Sequence, residues 1–215
     1  MKSSSKNPKV ILVGAGPGDV ELITVKGLNA IKNADVILYD ALVNTEFLSF
    51  AKLGAKCIYV GKRFNDYKYS QLKINQMLVD NAYQYGSVVR LKGGDPYVFG
   101  RGAEEVEFVE SFGVETEMIS GISSALAVPA SQGISLTKRG VSQSFWVITG
   151  TTSNGDMSKD ILLAAQSTAT IVVLMGLRNV VSIINEIKKY RHKHTPFAII
   201  QNGTLPNEMI LIDTI

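Results

Sequence analysis

Cysteine is almost absent. Cys57 stands alone among 215 residues, so an internal disulfide and a thiolate metal cluster are both excluded, which fits a reducing cytoplasm. Strong charge is missing as well. The net charge is +3, no run of Lys and Arg exceeds two residues, and the aromatics do not interleave with a basic stripe, so nothing here suggests a general nucleic-acid binder. Long apolar runs are lacking: those present are short and carry charges, and no membrane span is expected. The opening MKSSSKNPK has no apolar middle of the signal-peptide kind and reads as a frayed leader. The histidines, His192 and His194, sit beside Arg191 and Lys193 and read as a solvated helix end, not a metal site. No short-period repeat is present.

What the chain does have is apolar residues and glycine. At 46% hydrophobic it can bury a good core, as one large domain or two small ones. The stretch 88–102, VVRLKGGDPYVFGRG, is the one around which the rest is arranged: a buried strand breaks into Gly93, Gly94 and Asp95, Pro96 stiffens the turn, and an apolar triplet leads to Gly100, Arg101 and Gly102. Such a break places backbone N–H groups, carbonyls and one carboxylate at the carboxyl edge of a sheet, where open α/β folds bind ligands.

A second glycine loop, GAGPGD, follows an apolar strand at 10–13, and helical spacing begins near Thr24 with Val25, Leu28 and Ile31 on one face. A dinucleotide fingerprint would place a third glycine where Asp19 stands. Pro17 removes a donor that a pyrophosphate would use, and Asp19 would repel it. The loop therefore suits a ligand without phosphates.

Further strands are expected at 36–39, delivering Asp40, and at 57–60, where Cys57 is expected as a buried structural thiol and Gly61, Lys62 and Arg63 follow. Asp40 reads either as a strand-end cap or as a carboxylate aimed at a ligand. Lys62 and Arg63 read either as a solvated loop or as an anion clamp. A helix starts after Ser70, an N-cap candidate. In AEEVEFVESF the acids Glu104, Glu105, Glu107 and Glu110 are expected on a solvated face. A strand at 115–119 ends in SGISSA, whose Ser123 and Ser124 either cap a helix or donate to a ligand carboxylate. The alternation of strands and helices up to this point predicts a parallel α/β domain over 1–118. The second domain, 119–215, carries the basic pair Lys138 and Arg139 and strands near 144–149, 170–175, 197–201 and 209–214.

Taken in order, VGAGPGD, ADVILYDALV, YVGKR, the Gln71–Asn75 helix start, RLKGGDPYVFGRG, GISSA, GISLTKRGVSQS, LMG and TPFAIIQNGT resemble the tetrapyrrole methylases along nearly the whole chain, most closely the members that act on uroporphyrinogen III. The resemblance implies a two-domain α/β fold, with a parallel N-terminal domain, a mixed-sheet C-terminal domain and the ligand cleft between them, in a metal-free homodimer. It implies S-adenosylmethionine as methyl donor and S-adenosylhomocysteine as product, with donor contacts at Pro17, Gly93, Gly94, Asp95, Val98, Ser123, Ser124, Met175 and Gly203. It further implies Asp40 as proton acceptor and Lys62 as proton donor, in the two-position methylation of uroporphyrinogen III to precorrin-2, which feeds sirohaem or cobalamin synthesis. That substrate carries eight carboxylates, and Arg63, Arg101, Lys138 and Arg139 are the cations expected to meet them. The chain departs from the family's usual residues at Ser120, Tyr67 and Lys138. Methylation of a later corrin precursor is one alternative; a nicotinamide-dependent dehydrogenase or non-catalytic nucleotide-binding module built on GAGPGD is another.

Overall fold

The apolar run after Pro8 forms β1 (Lys9–Gly14), an inner strand of a five-stranded sheet. In the computed structural model residues 7–61 and 69–215 are described; the leader 1–6 and the segment 62–68, with Lys62, Arg63 and Tyr67, lie outside the described residues. Thr24 caps the next helix, α1 (Val25–Asn33), its Oγ1 accepting from Gly27 N at 3.1 Å. Then come β2 (Val36–Tyr39), a 3₁₀ segment Thr45–Phe50, and β3 (Lys56–Tyr59). Ser70 caps α2 (Gln71–Tyr85) by accepting from Lys73 N, and Gly86, at φ 99°, ends it in a conformation that suits glycine. β4 (Ser87–Lys92), α3 (Gly102–Ser111) and β5 (Glu115–Ile119) complete this half.

The strand order is β3-β2-β4-β1-β5 and every pairing is parallel. Both faces must therefore be covered, and strand alternation decides which residue serves which face. Val10, Leu12, Val36, Leu38 and Val88 pack with Ile74, Leu78 and Val79 of α2 and Val109 of α3. Val13, Ile37, Val89 and Leu91 pack with Ile31 of α1 and with Phe47. Each such fully buried side chain contributes about 1.5–3 kcal/mol of transfer free energy. The 3₁₀ segment was not anticipated, yet its Phe47 is fully buried and closes the α1 face.

The chain divides into two compact units, Met1–Ser123 and Ser124–Ile215, a few residues beyond the 118/119 division expected from the change in pattern. The second unit opens with α4 (Ser124–Ser131). Its β6 (Phe145–Thr149) and β7 (Thr170–Leu174) pair in parallel, with α5 (Asp160–Gln166) and α6 (Val180–Lys188) burying Ile161, Ala164 and Ile183 against Ile148. β8 (Pro196–Gln201) and β9 (Met209–Thr214) form an antiparallel pair, so this unit is mixed in strand direction.

Two expectations are corrected. Cys57 is exposed, because β3 is the edge strand and, among the described residues, no further strand pairs with its outer side. Glu105 is fully buried where a solvated face was expected, for a reason given in the next subsection.

At the carboxyl ends of β1, β4 and β5 three glycines meet backbone to backbone. A Cβ built on Gly14 would lie 2.6 Å from Gly94 O, and one on Gly121 would lie 2.7 Å from Gly14 Cα. No other residue type fits, since both contacts are to main chain and cannot swing away. Gly121→Ala is expected to cost about 1–3 kcal/mol as an overpacked site, read as a lowered urea midpoint with unchanged m-value; an unchanged midpoint would show that the junction can spread.

Candidate ligand site

The connection after β1 leaves toward the α1 face, while that after its neighbour β4 leaves toward the α3 face. Adjacent strands whose loops diverge in this way open a crevice at their carboxyl ends. Here the two loops are also stitched together: Gly94 N donates to Gly16 O at 2.7 Å, Gly16 N to Gly94 O at 3.2 Å, and Ala15 N to Lys92 O at 2.8 Å. Asp95 then ties in the third loop, with Oδ2 accepting from Gly121 N at 3.1 Å and Oδ1 from Tyr97 N at 2.8 Å. Of the expected donor contacts, Pro17, Gly93, Gly94, Asp95 and Ser123 thus lie on three loops joined at one sheet edge.

Phosphate chemistry is disfavoured at that edge. Asp19 accepts from Glu21 N at 2.9 Å and Thr24 Oγ1 from Gly27 N at 3.1 Å, so a carboxylate and a hydroxyl each take one of the helix-start donors here, and the Asp19 charge opposes an anion. Past Asp95 the chain turns outward. Tyr97, Val98 and Phe99 are exposed, and Phe99 (φ 54°) and Arg101 (φ 58°) hold left-handed conformations that cost non-glycine residues of order 1 kcal/mol or more. Arg101 forms a two-pronged ion pair with Glu104, at 2.9 and 2.6 Å; their hydrogen bond raises the pKa of Arg101 and lowers that of Glu104.

Asp40 lies at the carboxyl end of β2. Its Oδ1 accepts from Leu42 N at 3.1 Å, and Asn44 donates to Gly18 O at 3.0 Å, binding this loop to GAGPGD. Gly93 and Gly61 let neighbouring backbone approach: a Cβ on Gly93 would lie 2.7 Å from Leu42 Cβ, and one on Gly61 would collide with Ala41 N. Lys62 and Arg63 fall in the undescribed segment.

Behind Asp40 is a charge cluster that the sequence reading passed over. Val88, Arg90 and Lys92 alternate onto the α2/α3 face of β4, so two cations stand inside an otherwise apolar layer, at 3% and 5% exposure. Charges buried there need partners. Glu105, one turn into α3, supplies the anion: Oε1 lies 3.2 Å from Arg90 Nε and accepts from Gln71 Nε2 at 2.9 Å, while Oε2 lies 3.2 Å from Lys92 Nζ, an ionic contact outside hydrogen-bond geometry. Arg90 also reaches Leu38 O, Leu91 O and, at 3.5 Å, Asp40 Oδ2. Burial, then the Arg90 charge, push the Lys92 pKa down, against the pull of Glu105. Two basic residues at i and i+2 in an inner strand were the available signal, for they require an acid on the covering helix.

In the second unit, Met175 follows β7, exposed and left-handed at φ 57°. Its carbonyl accepts from Thr151 Oγ1 at 2.8 Å, and Asn179 Nδ2 donates to Thr151 Oγ1 and to Gly150 O. Gly203 follows β8 between Asn202 (φ 54°) and Thr204 (φ 67°), on a turn held by Glu208, which accepts from Thr204 N at 2.7 Å and from Gln132. A Cβ on Gly203 would meet Val128 Cβ of α4 at 3.0 Å. Ser124 is the first residue of α4. Lys138 and Arg139 sit on an exposed turn closed by Lys138 and Ser142. Among the described residues no group of three or more His, Cys, Asp or Glu could hold a metal ion, and no helix is long and apolar enough to cross a membrane.

A parallel sheet whose glycine loops gather at the carboxyl ends of its strands defines an open α/β domain of the kind that binds ligands at that edge. The family model of the tetrapyrrole (corrin/porphyrin) methylases matches residues 9–215. A uroporphyrinogen-III C-methyltransferase of Methanocaldococcus jannaschii is 48% identical over 209 residues, covering 96% of this chain and 86% of that protein. Among solved structures, uroporphyrin-III C-methyltransferase from Thermus thermophilus complexed with S-adenyl homocysteine superposes with a TM-score of 0.82 at 38% identity, over 96% of this chain and 83% of that one. A cobalt precorrin-4 methyltransferase gives 0.86 at 25% identity, over 100% and 88%. The chain belongs to the tetrapyrrole methylases.

Glu105→Ala would leave Arg90 and Lys92 buried without the carboxylate that pairs with both. A loss of about 3–5 kcal/mol is expected, the range for a broken buried ion pair, measured by chemical denaturation; a loss below about 1 kcal/mol would mean that water reaches the cluster.

Proposed function

We propose that the chain is an S-adenosylmethionine-dependent methyltransferase that methylates uroporphyrinogen III at two ring carbons, giving precorrin-2 by way of precorrin-1 for sirohaem or cobalamin synthesis. One observation carries the choice of substrate: 48% identity, along 96% of the chain, to a uroporphyrinogen-III C-methyltransferase. The fold likeness to a cobalt precorrin-4 methyltransferase supports a later precursor as the second reading, but its 25% identity is far lower. The family resemblance carries the homodimer and the metal-free chemistry, and the single cysteine fits the cytoplasmic setting.

S-adenosylmethionine supplies a methyl group already activated on a sulfonium sulfur. What the protein must add is a fixed geometry, because alignment alone can supply several kcal/mol of the barrier. The stitched loops suit this. Gly93, Gly94, Asp95 and Pro17 offer a rigid edge of carbonyls and N–H groups, with Val98, Ser123, Ser124, Met175 and Gly203 as the other assigned donor contacts. The porphyrinogen carbon forms its new C–C bond as the S–C bond breaks with its electron pair going to sulfur, and the ring is left cationic. Asp40 is assigned to stabilise that charge and accept the proton whose loss restores neutrality, with Lys62 as proton donor. Arg63, Arg101, Lys138 and Arg139 are assigned to the substrate carboxylates, Arg101 exchanging Glu104 for a substrate acid.

Mass analysis of the product from uroporphyrinogen III is expected to show two added methyl groups; one or none would favour the second reading. Asp40→Asn should bind S-adenosylhomocysteine like the parent by calorimetry while kcat falls on the order of 10²-fold or more. A parent-like rate would leave Asp40 as the cap of the Leu42 turn.

A further inference from the structure

Arg90 is buried to 3% exposure, and nothing assigned so far uses it. A guanidinium in an apolar layer is tolerated when its donors are placed, and here each edge of the fork has a distinct partner. Nε faces Glu105 Oε1 at 3.2 Å, Nη1 faces Leu91 O at 3.2 Å and Leu38 O at 3.4 Å, and Nη2 faces Asp40 Oδ2 at 3.5 Å. Glu105 cannot move away: it is fully buried, and Gln71 and Lys92 hold it from two other sides. Gln71 is fixed in turn by Asn75 at 3.0 Å. The fork is therefore anchored at its inner edge and along the strand carbonyls, and its outer edge meets a carboxylate with 23% side-chain exposure at the end of β2.

We propose that Arg90, anchored by Glu105, is a positioning residue for methyl transfer that acts through Asp40. This rests on the reading of Asp40 as the group that meets the substrate ring. Asp40 has two oxygens and each is accounted for: Oδ1 by the Leu42 N–H at 3.1 Å, Oδ2 by Arg90. A hydrogen bond on one oxygen and a 3.5 Å ion pair on the other restrict the side-chain torsions of one planar group, and with them the direction in which the carboxylate faces outward. A lysine at position 90 would keep the charge but could not reach carbonyls, Glu105 and Asp40 together, because an ammonium lacks the planar fork. Misplacement of a reacting group by about 1 Å can cost up to about 10²-fold in rate, which is the scale of effect at stake.

The test is a double-mutant cycle of Arg90→Lys and Asp40→Asn on the full chain, read in kcat, KM for uroporphyrinogen III and affinity for S-adenosylhomocysteine. Arg90→Lys is expected to lower kcat at least about tenfold, with KM and product affinity unchanged. In the Asp40→Asn background it is expected to lower kcat no further, since residues acting as one unit are not additive. If Asp40→Asn lowers kcat and Arg90→Lys is either silent or multiplies that loss in full, Arg90 serves the fold alone and the proposal is overturned. If Asp40→Asn by itself leaves kcat at the parent level, it is the Asp40 reading that falls. Should Arg90→Lys not fold, Glu105→Gln takes its place in the same cycle, because it keeps the Oε1 acceptor shared by Gln71 and Arg90 Nε while removing the charge that anchors the guanidinium; the same two patterns decide.

Discussion

The constraint from which the rest of the first unit's site follows is the contact of three main chains at Gly14, Gly94 and Gly121. Each glycine ends or follows a different strand of one parallel sheet, and a methyl group on Gly14 or on Gly121 would collide with the backbone of the other two, while Gly94 holds a left-handed φ of 65°. The hydrogen bonds between Gly16 and Gly94, and the Asp95 carboxylate on Gly121 N, are possible because of that approach. Loops that would otherwise be the most mobile part of an α/β sheet are thus joined at their roots, the kind of support a site needs if catalysis is mainly alignment.

A second layer of support lies beneath. The central strand β4 carries Arg90 and Lys92 on a face where its neighbours are apolar, and α3 returns Glu105 to meet them. Replacing such a cluster with hydrophobic residues of equal volume is often neutral or stabilising. Its presence is therefore weak evidence about stability and points instead to what the fork touches at its outer edge, the carboxylate of Asp40. The fold and the proposed chemistry share a residue there.

Much of this was legible in the sequence. The apolar runs that end in glycine gave the parallel strands, and Ser70 and Thr24 announced helix starts that their hydrogen bonds bear out. The gathering of Gly93, Gly94, Asp95 and Pro17 followed from their common place after strands, since parallel strands of one sheet end on the same side. What escaped depended on partners distant in sequence. Glu105 looked like its solvated neighbours because only the position of β4 under α3 reveals the cations that bury it. Cys57 looked buried because strand order, which made β3 an edge, is not written in its local pattern. Phe47 lay in a 3₁₀ segment without helical periodicity, and the left-handed conformations of Phe99, Arg101 and Met175 have no compositional signature, since none is a glycine or asparagine.

Tyr97, Val98 and Phe99 form an arch whose two footings are fixed, at Asp95 on one side and at the start of α3 on the other, while its crown stands in solvent. The hydrogen bonds that hold the footings run through backbone and Asp95, so the side chains of the crown can be exchanged without loosening the masonry below.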